Sequence, residues 1–211
     1  QAAQVFAADH QGTLPGSYGK GTNTSPEWQR SWLGEEVLLP GMSRLGWMDY
    51  ESKTGSLVEY LGGDPEDARR LYRCPVLKTG TLNSGVGSNG MFDYSMMKLF
   101  GGADLGMIPL RSRVRVDGEF QDMPTPLFVE EDPLYFLNNV HTNPGHCSND
   151  RLGVWHEGKA QYAAIDGSIQ VLVVDGDLGP RALDWEAYLS GGRTRRLGLE
   201  PSYFGCWPSH R

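Results

Sequence analysis

The sequence predicts an α+β domain spanning residues 1–211: an N-terminal helix packed on an antiparallel β-sheet, with long loops. Three observations lead there. Gln1 to Ala8 is a helix-forming stretch that ends abruptly at Asp9-His10-Gln11-Gly12, and Pro15 confirms the break. Lys159–Ile165 and Ser168–Val174 are two extended-type runs joined by Asp166-Gly167. The chain holds 28 Gly and 13 Pro, which calls for many turns and long connections.

The elements follow in order. After Pro15 a polar, glycine-rich loop runs to Ser25. Pro26 to Leu39 is expected to be a short helix, with Ser25 as cap and Pro26 in its first turn, placing Trp28 and Trp32 on one face. Ser56–Gly63 reads as a short helix closed by glycine. Asp64-Pro65-Glu66-Asp67 opens another that runs to Tyr72, with acids in its first turn and arginines toward its end. Ser88–Met97 suggests a strand, Thr125–Asp132 a central strand, and Asn138–Gly153 a long loop. Ala182–Leu189 suggests a helix in the 175–211 tail, ended by Gly191-Gly192.

The hairpin at 159–174 is the most specific local expectation. Asp-Gly suits a two-residue turn that needs positive φ at both central positions. That turn pairs Ile165 with Ser168 and Tyr162 with Val171. Ala160, Tyr162, Ala164, Ile169, Val171 and Val173 then form one buried face, and a charge at Val171 would cost several kcal/mol.

Composition narrows the function. At 21% charged and 39% hydrophobic residues the chain is globular and long enough to bury a core. A net charge of -7 argues against a nucleic-acid partner. No run of roughly 18 apolar residues spans a membrane, and no leader is visible.

One spacing points further. His156, nine residues, then Asp166-Gly167 resembles the signature of prepilin-like proteins with a "His, nine residues, Asp-Gly" motif. Phe6-Ala-Ala-Asp-His-Gln-Gly-Thr-Leu-Pro15 resembles the stretch into which that family's long N-terminal helix runs. Cys74-Pro75, following the Leu57–Leu61 helix, resembles its "Phe-x-Cys-Pro" element. The resemblance covers most of residues 1–174. It implies a pilin-like head in which residues 1–9 end a longer spine helix, 159–174 form the last hairpin and 175–211 are an additional tail. It implies a non-catalytic subunit of a type IV pilus-like or type II secretion pseudopilus filament, in the periplasm or outside the cell. The partners would be homologous pilin or pseudopilin subunits, and the inner membrane through a helix upstream of Gln1. The frame upstream would encode a short basic leader and roughly twenty apolar residues.

Each candidate site residue also has a structural role open to it. A largely extended chain between His156 and Asp166 spans on the order of 25 Å, which separates the two residues. His156 is therefore expected to fix the hairpin entry and Asp166 to make the turn. Three cysteines allow three pairings, among which the sequence does not choose; Cys147 with Cys206, both in loop-rich surroundings, is the first expectation. His141, His146, Cys147 and His156 are zinc-type ligands in a spacing that fits no common zinc pattern. Asp175 and Asp177 resemble a carboxylate loop for calcium, which the likeness to major pseudopilins raises. No other cofactor is expected. Two alternatives stay open. A secreted glycan- or polymer-binding module would expose Trp28, Trp32 or Trp47 in a cleft. A secreted hydrolase would use Glu130, Glu131 or His156.

Overall fold

The structure, a computed structural model, describes residues 1–17, 31–38, 48–51, 55–76, 92–97, 100–116, 119–130, 145–146, 156–157 and 159–173. Among these the architecture is α+β. Two helices, α1 (Ala2–Asp9) and α2 (Pro65–Leu71), accompany strands β1 (Glu35–Leu38), β2 (Met48–Glu51), β3 (Tyr94–Met97), β4 (Arg111–Val116), β5 (Glu119–Pro124), β6 (Pro126–Glu130), β7 (Gly145–His146), β8 (Lys159–Ala164) and β9 (Ile169–Val173). The main sheet has the order β7-β3-β6-β8-β9. Its last four strands are antiparallel, and β7 joins β3 in parallel. The pairs β1-β2 and β4-β5 are separate antiparallel ribbons.

Helix α1 ends where the sequence breaks. Gln11 at φ 56 and Gly12 at φ 88 turn the chain into the left-handed region, and the Gly12 N–H closes on the Ala7 carbonyl at 2.7 Å. Its Ala3, Phe6 and Ala7 are buried in one core with Met96, Val129 and Tyr162. Phe6 stacks on His10 and meets Tyr60 edge-on. Helix α2 begins at Asp64, whose side chain accepts from the Glu66 N–H with Pro65 in the first turn. Before it lies a 3-10 turn, Glu59–Leu61, closed by Gly62 in the left-handed conformation.

Strand β6 is central and buries both faces. Leu127, Val129 and Glu130 are all buried, which fits its unbroken apolar run. The helix expected over 26–39 is absent from its described part: Ser31 bridges Gly16, and Glu35–Leu38 is strand β1, paired with β2. Gly34, at φ 141, breaks any helical continuation from Leu33. Trp32 is buried all the same, edge-on to Tyr72 and Phe128. Within the expected 138–153 loop, Gly145–His146 forms β7 beside Met96 and Met97.

The C-terminal hairpin is shifted by one residue from the expected register. Ala163 faces Ile169, Tyr162 faces Gln170 and Gln161 faces Val171. The Ile165 N–H is taken by the Thr125 carbonyl at 2.8 Å, so it cannot close a two-residue loop with Ser168. Ala164 closes the loop instead, donating to the Ser168 carbonyl, while Gly167 N–H donates to the Ala164 carbonyl. Only Gly167 takes positive φ, at 85, which is a type I turn followed by a left-handed glycine. On the expected apolar face, Ala160, Tyr162 and Ala164 are buried. Ile169 and Val171 belong to the other face and are 66% and 47% exposed. Val171→Asp is therefore expected to change stability by less than about 1 kcal/mol, as at other surface positions, with an unchanged urea midpoint as the check.

The turn has its own electrostatics. Asp166 Oδ1 accepts from the Ser168 hydroxyl at 2.6 Å and from the Ser168 N–H at 2.9 Å. The hydroxyl first, then the N–H, holds the Asp166 carboxyl below its ordinary value of 3.8. Because the folded value is depressed, the turn is favoured above the unfolded pKa and loses this contribution as pH falls through the folded one. An NMR titration of the Asp166 carboxyl should show the depressed midpoint, and Ser168→Ala should raise it.

Candidate functional site

Three chain segments converge at one end of the main sheet. Cys74 follows α2, Glu130 is the last residue of β6, and His156 lies just ahead of β8. The turn after α2 is clipped to the start of β3 at two points. Asp93 N–H donates to the Tyr72 carbonyl at 2.8 Å, and the Asp93 carboxylate accepts from the Cys74 N–H at 2.9 Å. His156 is set by a tight turn in which Glu157 has φ 56 and the Lys159 N–H donates to the His156 carbonyl. His156 also forms an isolated antiparallel bridge with Lys159.

These backbones bring three ligand-type atoms together. His156 Nε2 lies 3.1 Å from Glu130 Oε2 and 3.6 Å from Cys74 Sγ. The three groups all lie within 4.8 Å of one another. Glu130 is wholly buried, Cys74 is 2% exposed, and the His156 side chain is 22% exposed. Neither Glu130 oxygen has a partner in hydrogen-bond geometry, despite the nearby imidazole. Burial pushes the Glu130 carboxyl up; Cys74 and His156 pull it down, and Asp93 adds to the rise. The adjacent Tyr94 phenol is also pushed up, by burial first and then by Glu130, Cys74 and Asp93, and it shares a hydrogen bond with Cys74. It stays neutral at physiological pH.

His156 and Asp166 have separate partners: the imidazole meets Cys74 and Glu130, and Asp166 stays within its own turn. Gly167 of that turn meets α1. A Cβ at Gly167 would lie 3.1 Å from Gln4 Oε1, and Gln4 Nε2 donates to the Ile165 carbonyl at 2.9 Å. Helix α1 is thus clasped to the hairpin across 161 positions of sequence. Beside this clasp an open groove of about 370 Å³ runs between the first turn of α1 and the sheet, lined by Leu61, Leu71, Phe128, Ala163 and Ile169 among others.

Cys74 is buried, is not in a disulfide, and directs its thiol to His156; Pro75 follows it directly. Trp32 is a core residue, 2% exposed, so it offers no exposed stacking face. Trp28, Trp47, Glu131, Cys147, Cys206, Asp175 and Asp177 lie outside the described residues, as do His141 and the 182–192 segment; of His146 only the backbone is described. The sequence places His156 near His141, His146 and Cys147 and gives no sign of its grouping with Cys74 and Glu130. No local signal marks it, since Cys74 and His156 stand 82 positions apart. No family model matches this chain, and neither does any curated protein or solved structure.

Proposed function

We propose that this chain is the globular head of a filament subunit of the pilin or pseudopilin kind, working by packing rather than turnover. The observation that carries this reading is the clasp between α1 and the hairpin. The two stretches that most resemble the prepilin-like family are the opening helix and the His-x9-Asp-Gly segment, and they meet through Gln4, Ile165 and Gly167. In a filament subunit the spine helix must be fixed to the head so that neighbouring heads stand in a set orientation. A side-chain hydrogen bond to a turn carbonyl, over a glycine with no Cβ in the way, does that.

Both motif residues have structural work in this reading. Asp166 shapes the turn, and His156 ties the hairpin entry to β6 and to the turn after α2. Assembly depends on an apolar helix preceding Gln1, and without it the head-to-head contacts do not offset the entropy of association. Light scattering of the 1–211 chain should therefore give a monomer at micromolar concentration. The frame upstream of Gln1 should encode a basic leader and an apolar helix with a glutamate near its start. A stable oligomer of the isolated chain, or an upstream frame encoding an ordinary soluble domain, would contradict the reading.

A further inference from the structure

We propose that Cys74, Glu130 and His156 form a binding site for a zinc-class divalent cation, which staples the hairpin entry to β6 and to the turn after α2. This does not rest on the filament reading. The donor set is one thiolate, one imidazole and one carboxylate, the three side-chain types that bind zinc. Each comes from a different segment, and each is held by backbone structure rather than by a loop tip.

The distances fit. In a tetrahedral zinc site the Zn–S bond is about 2.3 Å and the Zn–N and Zn–O bonds are about 2.0–2.2 Å. Two such ligands then stand about 3.5 Å apart for sulfur and nitrogen, and about 3.3 Å apart for nitrogen and oxygen. The observed separations are 3.6 Å for Cys74 Sγ to His156 Nε2 and 3.1 Å for His156 Nε2 to Glu130 Oε2. The Glu130 oxygens are close to the imidazole yet not aligned with it as hydrogen-bond acceptors.

The charge balance also fits. A fully buried carboxylate such as Glu130 is costly unless nearby charge offsets it. A dication between Glu130 carboxylate and Cys74 thiolate gives a neutral centre, with His156 as the uncharged third ligand. Two neighbours support the ligands from outside: Asp93 accepts from the Cys74 N–H, and Tyr94 shares a hydrogen bond with Cys74. His156 is partly exposed, which supplies an entry path for the ion.

The test uses the untagged 1–211 chain, stripped of metal and titrated with zinc chloride. Native mass spectrometry should show one ion bound at micromolar zinc, and thermal unfolding should move upward. With cobalt(II) in place of zinc, the wild-type spectrum should show a thiolate-to-cobalt charge-transfer band and the visible bands of a tetrahedral ion. Cys74→Ser should abolish the charge-transfer band. Cys74→Ser and His156→Gln should each weaken zinc binding by more than about 100-fold, beyond what loss of a supporting neighbour costs. The circular dichroism of both variants should match wild type. No zinc bound to the wild-type chain, or equal affinity in Cys74→Ser and wild type, would overturn the proposal. So would a cobalt spectrum without the thiolate band, which needs no variant to read.

Discussion

Replacing Val129 with aspartate is expected to remove most of the stability of this domain, more than about 4 kcal/mol. Val129 has no exposed surface and lies on the central strand between Ser95 of β3 and Tyr162 of β8. A carboxylate there has no cation within the described core to pair with, and water cannot reach it. Small domains hold only about 5–15 kcal/mol in all, so the variant should be unfolded or molten at room temperature. Urea unfolding followed by circular dichroism reads this directly. The same change at Val171, half exposed on the edge strand, should leave the urea midpoint nearly where it was. The contrast between the two sites tests the hairpin register as well as the core, because the two-residue turn would have buried Val171 instead.

Trp32→Ala should cost about 3–5 kcal/mol. Trp32 is 2% exposed and packs edge-on against Tyr72 at 5.0 Å and Phe128 at 5.1 Å. It joins the turn after α2 to the face of the sheet that carries Phe128. Truncation loses the indole's buried area and leaves a cavity that three different segments would have to close together. Trp32→Phe should recover part of the loss. A thermal midpoint unchanged in Trp32→Ala would show that the residue is not the core contact described.

Much of the fold could be read from sequence where the signal was local. Asp64 and Pro65 set the start of α2, Gly12 helped end α1, and the central strand Pro126–Glu130 falls within the expected Thr125–Asp132. The hairpin's existence was legible, and its register was not. Asp-Gly serves a two-residue turn with both residues left-handed, or a three-residue loop with the glycine alone left-handed. The choice was made by the Ile165 N–H, which bonds to Thr125, forty positions earlier in the chain, and by Asp166 Oδ1, which captures Ser168. The ribbon of β4 and β5 carries the same dipeptide as the hairpin, Asp117-Gly118, between its two strands in sequence.

The cluster of Cys74, Glu130 and His156 was out of reach for a related reason. Each residue carries a sufficient local explanation, as a Cys-Pro element, a strand end and a hairpin entry. Their meeting depends on how β6, β8 and the turn after α2 are arranged in space, which no periodicity or spacing encodes. Glu130 lies in the acidic end of the expected Thr125–Asp132 strand, yet the sheet buries it completely. The clasp of α1 on Gly167 is likewise a contact across 161 positions, and only the folded chain brings Gln4 to that turn.

The measurement that bears most directly on the filament reading is electron microscopy of cells producing the complete reading frame, labelled with a gold-conjugated antibody raised against the 1–211 head. The account predicts gold along thin filaments at the cell envelope, lost when the apolar segment upstream of Gln1 is deleted. Label spread evenly through a soluble fraction with no filaments would contradict it. So would a robust turnover on a polysaccharide or peptide substrate that is abolished by Glu130→Gln or His156→Gln.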